Sequence, residues 1–331
     1  MNFSVGYQLL DDLSLVNTII ENKDKITEVY FSFGDFPNGR NDQKRCSFAT
    51  REEAEERQIA DLKRISESGI SLNILFNATC YGADALSRSF FERIGNTVDG
   101  LSENLNIRSV TTTSPIIAKF IKSNFEGLKT RASVNMEIGS ELGAEYLFDA
   151  FDGFYLKREL NRDIAAVKRL GKFYSENGKD LFGLANSGCL NFCSMHVFHD
   201  NLVAHEEEIS KKDNGFVFRA GCAEFLKKKE TVRRIFDCTN FIRPEDVHYY
   251  EGLFTSMKLA TRMNCDPVRV IESYVKRGAH RGSALELCEP NHTSQLYPYV
   301  LENKYIKSEI RNERLVYSGI DDALIKLEDL C

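Results

Sequence analysis

The sequence predicts an α/β protein folded as a (β/α)8 TIM-like barrel, with an insertion before strand eight and a short C-terminal appendage. Short apolar runs rich in β-branched and aromatic residues alternate with amphipathic helical stretches, a pattern typical of parallel α/β architecture. There are eight such runs, and the connections are short except after the seventh. No GxGxxG motif follows the first run, so an open dinucleotide-binding sheet lacks its usual fingerprint.

The strands and helix starts follow from local patterns. Thr50 and Glu53 form a capping box before an apolar helical run, and Ser114 with Pro115 places a cap and a first-turn proline before the next. Asn161 is predicted to cap the helix that contains RDIAAVKRL. The eight strands are predicted at Phe3–Leu9, Glu28–Phe33, Ser71–Asn77, Arg108–Thr112, Lys129–Met136, Gly153–Lys157, Leu181–Asn186 and Ser256–Thr261.

The division of the chain follows from these elements. The barrel is predicted to span 1–276 and to include a metal-binding insertion at about 187–245. Residues 277–331 form a less regular appendage packed on the barrel. A chain of 331 residues is long enough for this arrangement.

Composition predicts the cellular setting and excludes some partners. Hydrophobic residues make up 42% and charged residues 28%. The sequence contains no run of eighteen apolar residues, so we expect no membrane-spanning helix. The N-terminal residues show neither the basic region nor the apolar core of a secretion signal, so we expect a cytoplasmic protein. A net charge of −6 argues against broad electrostatic binding of RNA, although a local basic patch could still hold it.

Polar side chains follow several predicted strands, where the active sites of such barrels lie. Asn77 ends strand three, Arg158 and Glu159 follow strand six, and Arg262 ends strand eight. Guanidinium groups bind carboxylates in a bidentate manner, so the arginines are candidates to orient an anionic substrate. We predict these four as catalytic or substrate-binding residues. A rim ion pair or a helix cap is the structural alternative.

A cysteine pair carries the metal prediction. Cys189 and Cys193 form a C-x3-C motif directly after strand seven, and two thiolates so close in sequence can bind one metal centre. Cys222, in the insertion, is the candidate third ligand. Iron–sulfur clusters and structural zinc sites both use four ligands. The fourth ligand is predicted to be Cys80, with Cys46 and Cys238 as alternatives.

Three segments in the second half of the chain resemble the U32 family of collagenase-like peptidases. They are FDGFYLKRELN at 151–161, LANSGCLNFC at 184–193, and DCTNFIRPEDVHYYEGLFTSMKLATR at 237–262. The last segment resembles the family's Phe-Ile-Arg-Pro-Glu-Asp helix followed by a strand that ends in Lys-x-x-x-Arg. The segments occur in the family's order and at plausible spacing.

The resemblance implies a barrel with a [4Fe–4S] cluster held by four cysteines, as in family members that hydroxylate RNA bases or ubiquinone precursors without molecular oxygen. By order along the chain, Cys189, Cys193 and Cys222 match such cysteines. We therefore predict an iron–sulfur oxidoreductase acting on a small molecule or RNA, with zinc as the alternative metal. A U32-type peptidase and a non-catalytic metal-binding partner subunit are the alternative functions. A small anionic co-substrate and a partner protein subunit are the partners considered.

Overall fold

The computed structural model describes residues 1–39, 48, 50–276, 278 and 280–329. Eight parallel strands close into a barrel in sequence order, with β1 paired to both β2 and β8. The predicted fold class is therefore confirmed. The strands are β1 Phe3–Gly6, β2 Ile26–Phe31, β3 Ser71–Phe76, β4 Ile107–Thr112, β5 Lys129–Ala132, β6 Gly153–Tyr155, β7 Asp180–Leu184 and β8 Ser256–Leu259.

Helices follow the barrel strands, and further short elements make up the insertion and the appendage. The barrel helices are α1 Ser14–Glu21, α2 Arg51–Glu67, α3 Arg88–Ser102, α4 Pro115–Asn124, α5 Glu141–Glu145, α6 Ile164–Glu176 and α12 Pro267–Lys276. The insertion carries α7 His196–Ala204, α8 Glu206–Ser210, α9 Gly221–Leu226, α10 Lys229–Val232 and α11 Ile235–Cys238. The appendage carries α13 Thr293–Leu296, β9 Tyr299–Leu301, β10 Lys307–Arg311, β11 Arg314–Ser318, α14 Ile320–Ala323 and β12 Leu324–Lys326.

Capping explains where several helices start. The side chains of Thr50 and Ser114 accept hydrogen bonds from backbone N–H groups three residues on, as predicted. The predicted cap at Asn161 is wrong. Asp163 caps α6, because its carboxylate accepts from the Ala166 N–H, while the Asn161 amide donates to the Leu184 carbonyl and ties α6 to β7.

Except for strand four, every predicted strand extends further toward its C-terminal end than the observed strand does. Strand five was predicted to reach Met136, but β5 ends at Ala132 and residues Val134–Met136 form a 3-10 turn. The Ser133 side chain accepts a hydrogen bond from the Asn135 N–H and so favours the turn over further strand pairing. The chain leaves the sheet earlier than its apolar pattern suggests, and this bend brings Asn135 to the barrel mouth.

The barrel interior is polar below the mouth. Glu28 of β2 and Arg131 of β5 form an ion pair of 2.6 Å with side-chain exposures of 5% and 14%. The same carboxylate accepts hydrogen bonds from Asn73 and Ser109. The Arg131 guanidinium also lies 4.4 Å from the centre of the Phe182 ring. Buried charges are tolerated only when paired and hydrogen-bonded, so this network is a specific feature of the barrel.

The FIRPED segment joins the barrel to the appendage. Pro244–Tyr250 is a 3-10 helix, and the buried Arg243 bonds to Asp246 at 2.8 Å and to the Ile306 carbonyl at 2.9 Å. Asp246 in turn accepts from Ser308. The motif is therefore structural: it fastens the appendage to the barrel wall. Of the helices that the structure describes, none is both long and apolar enough to cross a membrane.

Candidate functional site

A small cavity opens among the C-terminal ends of the barrel strands, where the sequence predicted the site. Its volume is about 50 Å³, room for roughly four water molecules at about 10–15 Å³ each. Strands β2, β3, β5, β6, β7 and β8, or the segments that directly follow them, contribute lining residues, and the appendage contributes one. The residues that line it are Tyr30, Gly39, Asn77, Val134, Asn135, Arg158, Leu184, Ser187, Cys189, Lys258, Ala260, Arg262 and Glu289.

Cationic side chains dominate this cavity. Arg158, Lys258 and Arg262 are only 6%, 8% and 4% exposed, yet all three line it. Glu289 is the carboxylate among the described lining residues. Because charges interact strongly where water is scarce, the cavity is suited to an anion.

The Lys258 ammonium group lies over the rings of Tyr30 and Tyr155. Its Nζ is 3.8 Å from the centre of the Tyr30 ring and 5.3 Å from that of Tyr155. Burial lowers the pKa of Lys258 to about 7, and the positive charge of Arg262 adds to the effect, whereas Glu289 and Glu28 oppose it. Near neutral pH a substantial fraction of this amine is therefore uncharged.

The predicted residues Asn77, Arg158 and Arg262 come together around this cavity. The Arg158 Nη2 donates to Asn135 at 2.8 Å, and its Nη1 donates to the His196 Nε2 at 2.7 Å. Asn77 accepts from the Gly39 N–H at 3.2 Å, and Arg262 donates to Ser32 at 3.3 Å. The structure thus places all three where a bound molecule would touch them; their roles in substrate binding stay predictions.

Glu159 lies elsewhere and faces the thiol loop, by which we mean residues 189–193. Its Oε1 accepts a hydrogen bond from the Phe192 N–H at 3.1 Å. Phe192 has a φ of +54°, a left-handed conformation that costs a non-glycine residue free energy. Glu159 therefore stabilises the turn between the two cysteines, which makes it a positioning residue in this structure.

Replacing Glu159 with alanine is expected to loosen the thiol loop. Loss of a hydrogen bond to a charged acceptor costs about 1.5–3 kcal/mol, so amides of residues 189–193 should exchange at least about tenfold faster. Hydrogen exchange followed by mass spectrometry would measure this. Glu141→Ala, which removes an exposed carboxylate paired with Arg169, is the matched control. Unchanged exchange in Glu159→Ala would contradict the positioning role.

The thiol loop starts under tight steric control. A Cβ at position 188 would collide with the Pro290 carbonyl oxygen, so only glycine fits immediately before Cys189. The Gly188 N–H donates to the Glu289 carbonyl at 2.9 Å, and the Gly188 carbonyl accepts from His292 at 2.8 Å. The appendage therefore fixes the point at which the loop leaves β7.

Three of the predicted ligands lie near one another. Burial raises the pKa of the Cys222 thiol, and the negative charges of Cys189 and, to a smaller degree, Cys193 raise it further. All three are partly exposed. This grouping joins the loop after β7 to α9, and its members Cys193 and Cys222 are 29 residues apart in sequence.

The candidates for a fourth ligand have different surroundings. The Cys238 carbonyl accepts from the Asn191 N–H at 2.5 Å, so its segment packs directly on the thiol loop. Cys80 accepts from the Gly82 N–H at 3.4 Å, in a loop bonded through Thr79 to the later half of α7. Cys46 lies outside the described residues. Buried Cys288 was not predicted as a ligand, but Cys189 contributes, after burial, to raising its pKa.

The donor set fits a thiolate-bound centre in its chemistry, because soft sulfur ligands suit both iron–sulfur clusters and zinc. Within the described ranges, no three His, Cys, Asp or Glu side chains are placed to hold a single metal ion. The cysteines of a cluster bind different iron atoms and stand farther apart.

The predicted site left out Lys258, Tyr30 and Glu289, although Lys258 is the lysine of the Lys-x-x-x-Arg segment. Lys258 and Arg262 are four residues apart along β8 and the segment that follows it. Side chains alternate between the two faces of an extended chain every second residue, so this spacing predicts that the two side chains face the same side. Glu289 reaches the cavity from the appendage, and its local sequence gives no sign of this.

These features define the class of protein: a (β/α)8 barrel with a cationic cavity and a group of thiols at the C-terminal ends of its strands. No family model matches the chain. An uncharacterized protease of Methanocaldococcus jannaschii, MJ1657, is 26% identical over 250 residues, or 73% of this chain and 70% of that protein.

Solved structures agree on the fold. The U32 peptidase Mk0906 superposes with a TM-score of 0.55 at 14% identity, over 78% of this chain and 92% of the other. Phosphoribosylanthranilate isomerase from Thermotoga maritima gives a TM-score of 0.40 at 11% identity over 84% and 97% of the two chains, too low to add to the argument. The three segments at 151–161, 184–193 and 237–262 resemble the U32 peptidase family, and a solved U32 peptidase has the same barrel fold as this chain.

Proposed function

We propose that this chain is an iron–sulfur oxidoreductase of the U32 family that hydroxylates a small molecule or RNA without molecular oxygen. The observation that carries the proposal is the grouping of Cys189, Cys193 and Cys222 beside a buried cationic cavity. A [4Fe–4S] cluster would supply electron transfer, which no protein side chain provides. Zinc, which accepts the same ligands, is the alternative metal.

The chain's own residues account for the binding of an anionic co-substrate. Arg158 is held by Asn135 and His196, so its guanidinium plane is fixed before a ligand arrives. Arg262 approaches from the end of β8, which is separated by β7 alone from the end of β6 that carries Arg158. A carboxylate between these groups would be bound by charge-assisted hydrogen bonds in a site with little water. The cavity volume of about 50 Å³ suits a small acid better than a nucleobase.

Two alternatives have support of their own. The similar proteins include a protease, MJ1657, and a peptidase, Mk0906, which favours hydrolysis. Strongly exposed apolar side chains in the thiol loop and in the insertion favour a partner protein, because exposed apolar surface marks interaction sites. They are Phe192, Val197, Phe198, Phe216 and Val217. They support the alternative of a non-catalytic partner subunit.

Anaerobic purification followed by an absorption spectrum and by iron, sulfide and zinc analysis tests the proposal. We expect a brown protein with near-stoichiometric iron and sulfide. Cys189→Ala and Cys222→Ala should lose most of both, because each removes one of a few thiolate ligands. Cys265→Ala, which removes an exposed thiol near the start of α12, is the matched control and should keep its iron.

Other outcomes would point to the alternatives. A colourless protein that takes up no iron on reconstitution would contradict the cluster, and stoichiometric zinc would indicate the other metal. Peptide hydrolysis that persists in air and in both cysteine variants would favour a peptidase. A metal that is needed for folding, without turnover of any substrate tested, would favour the partner subunit.

A further inference from the structure

Lys258 is a buried amine whose environment is unusual for a lysine. It is 8% exposed and lines the cavity, and its Nζ lies over the faces of Tyr30 and Tyr155. In the part of the chain that the structure describes, its Nζ makes no hydrogen bond or ion pair. A buried ammonium without an acceptor is costly, so a structural role does not explain a lysine here.

The groups around Lys258 favour a reactive amine. The cations Arg262 and Arg158 face it from the segments that follow β8 and β6, and the carboxylates Glu289 and Glu28 face it from the appendage and β2. Tyr30 and Tyr155 form the floor, and Arg131 neutralises Glu28. Desolvation together with neighbouring cations is a known way to make a lysine nucleophilic at neutral pH.

We propose that Lys258 forms an imine with the carbonyl carbon of a small aldehyde or ketone whose carboxylate is bound by Arg262 and Arg158. This proposal adds to the proposed function the chemical class of the anionic co-substrate. It rests on the proposed function only in taking the same cavity as the binding site. The carboxylate and the carbonyl must be close together in the molecule, because the amine and the guanidinium groups line one cavity of about 50 Å³.

The step balances without a redox partner. The lone pair of the neutral amine forms a C–N bond to the carbonyl carbon, and the carbonyl π electrons move to oxygen, which takes up a proton. The resulting carbinolamine then loses that oxygen as water, and the nitrogen lone pair forms the C=N bond. Glu289 lines the same cavity and can carry the proton between nitrogen and oxygen.

Reductive trapping tests the imine. Purified protein would be incubated with pyruvate and cyanoborohydride, digested, and mapped by mass spectrometry. We expect a reduced adduct on Lys258 that saturates with pyruvate concentration and forms half-maximally near the pKa of about 7, because only the neutral amine attacks. Lys258→Met should lose the adduct but keep its iron, which separates this test from that of the metal.

Two controls make the result specific. The pKa of Lys179 is also lowered by burial, but its Nζ donates to the carbonyls of Phe148 and Phe151 at the opposite end of the barrel. Lys179→Met should therefore trap pyruvate as the parent protein does. Arg262→Gln keeps the Lys258 amine but removes a guanidinium that would bind the carboxylate, so trapping of pyruvate should fall by about tenfold. Trapping of methyl pyruvate, which has no carboxylate, should change much less.

Adducts spread over surface lysines without preference for Lys258 would overturn the proposal. So would an Arg262→Gln variant that traps pyruvate and methyl pyruvate in the parental ratio. Circular dichroism of each variant would show that it is folded. Because the adduct needs no metal, trapping in a metal-free preparation would support the imine even if the iron–sulfur proposal failed.

Discussion

Lys258→Met is expected to raise the free energy of unfolding at pH 7 by on the order of 4 kcal/mol. The usual pKa of a lysine is 10.5, whereas burial lowers that of Lys258 to about 7. Between these two values the unfolded chain carries a proton that the folded chain releases, so folding includes the cost of that release. Methionine has a similar length, packs on Tyr30 and carries no such cost.

The sign of the pH dependence follows from the same difference. Where the unfolded state binds more protons, stability rises with pH, so the parent protein should gain stability from about pH 7 to 10. The variant lacks this contribution, and its advantage should shrink as the pH rises. Urea unfolding at several pH values would measure both. Lys63→Met, on the exposed face of α2, should change stability by less than about 0.5 kcal/mol. A Lys258→Met protein less stable than its parent at pH 7 would contradict the argument.

Arg131→Met should have a large effect of opposite sign, lowering the free energy of unfolding by about 3–5 kcal/mol. The variant leaves the Glu28 carboxylate buried and deprived of its 2.6 Å ion-pair partner. Asn73 and Ser109 still donate to it, but they do not neutralise its charge. The Phe182 ring also loses the guanidinium that covers it.

Unfolding by urea, with the m-value checked for constancy, would measure this loss. The double variant Glu28→Gln with Arg131→Met should recover a large part of it, because no unpaired charge remains. Arg169→Met breaks an exposed ion pair to Glu141 and should cost about 0–1 kcal/mol. A loss no larger than that of Arg169→Met would mean that solvent reaches Glu28.

Much of the fold could be predicted from local sequence. The alternation of strands and helices, and caps such as Thr50 and Ser114, depend on residues close together in the chain, so the pattern records them directly. The prediction of the α6 cap was wrong because asparagine and aspartate are equally suitable N-cap residues, so residue type does not decide between Asn161 and Asp163. Only the tertiary bond from Asn161 to β7 decides between them.

The site could be predicted in part for a related reason. Asn77, Arg158 and Arg262 follow strands, and position alone indicates the barrel mouth. Lys258 and Glu28 lie within strands, where a charged residue usually marks an exposed face. In a closed barrel, however, the alternate face is the interior. Glu289 could not be predicted, because it joins the cavity through a long-range contact.

The backbone of Glu289 connects the thiol loop to the cavity. Its N–H donates to Asn186 and its carbonyl accepts from Gly188, while its side chain faces the cavity that contains Lys258. The thiol loop begins at the very next residue, Cys189. The two halves of the site therefore share one stretch of main chain, so a displacement of the loop would also move a carboxylate whose charge partly offsets the effect of burial on the pKa of Lys258.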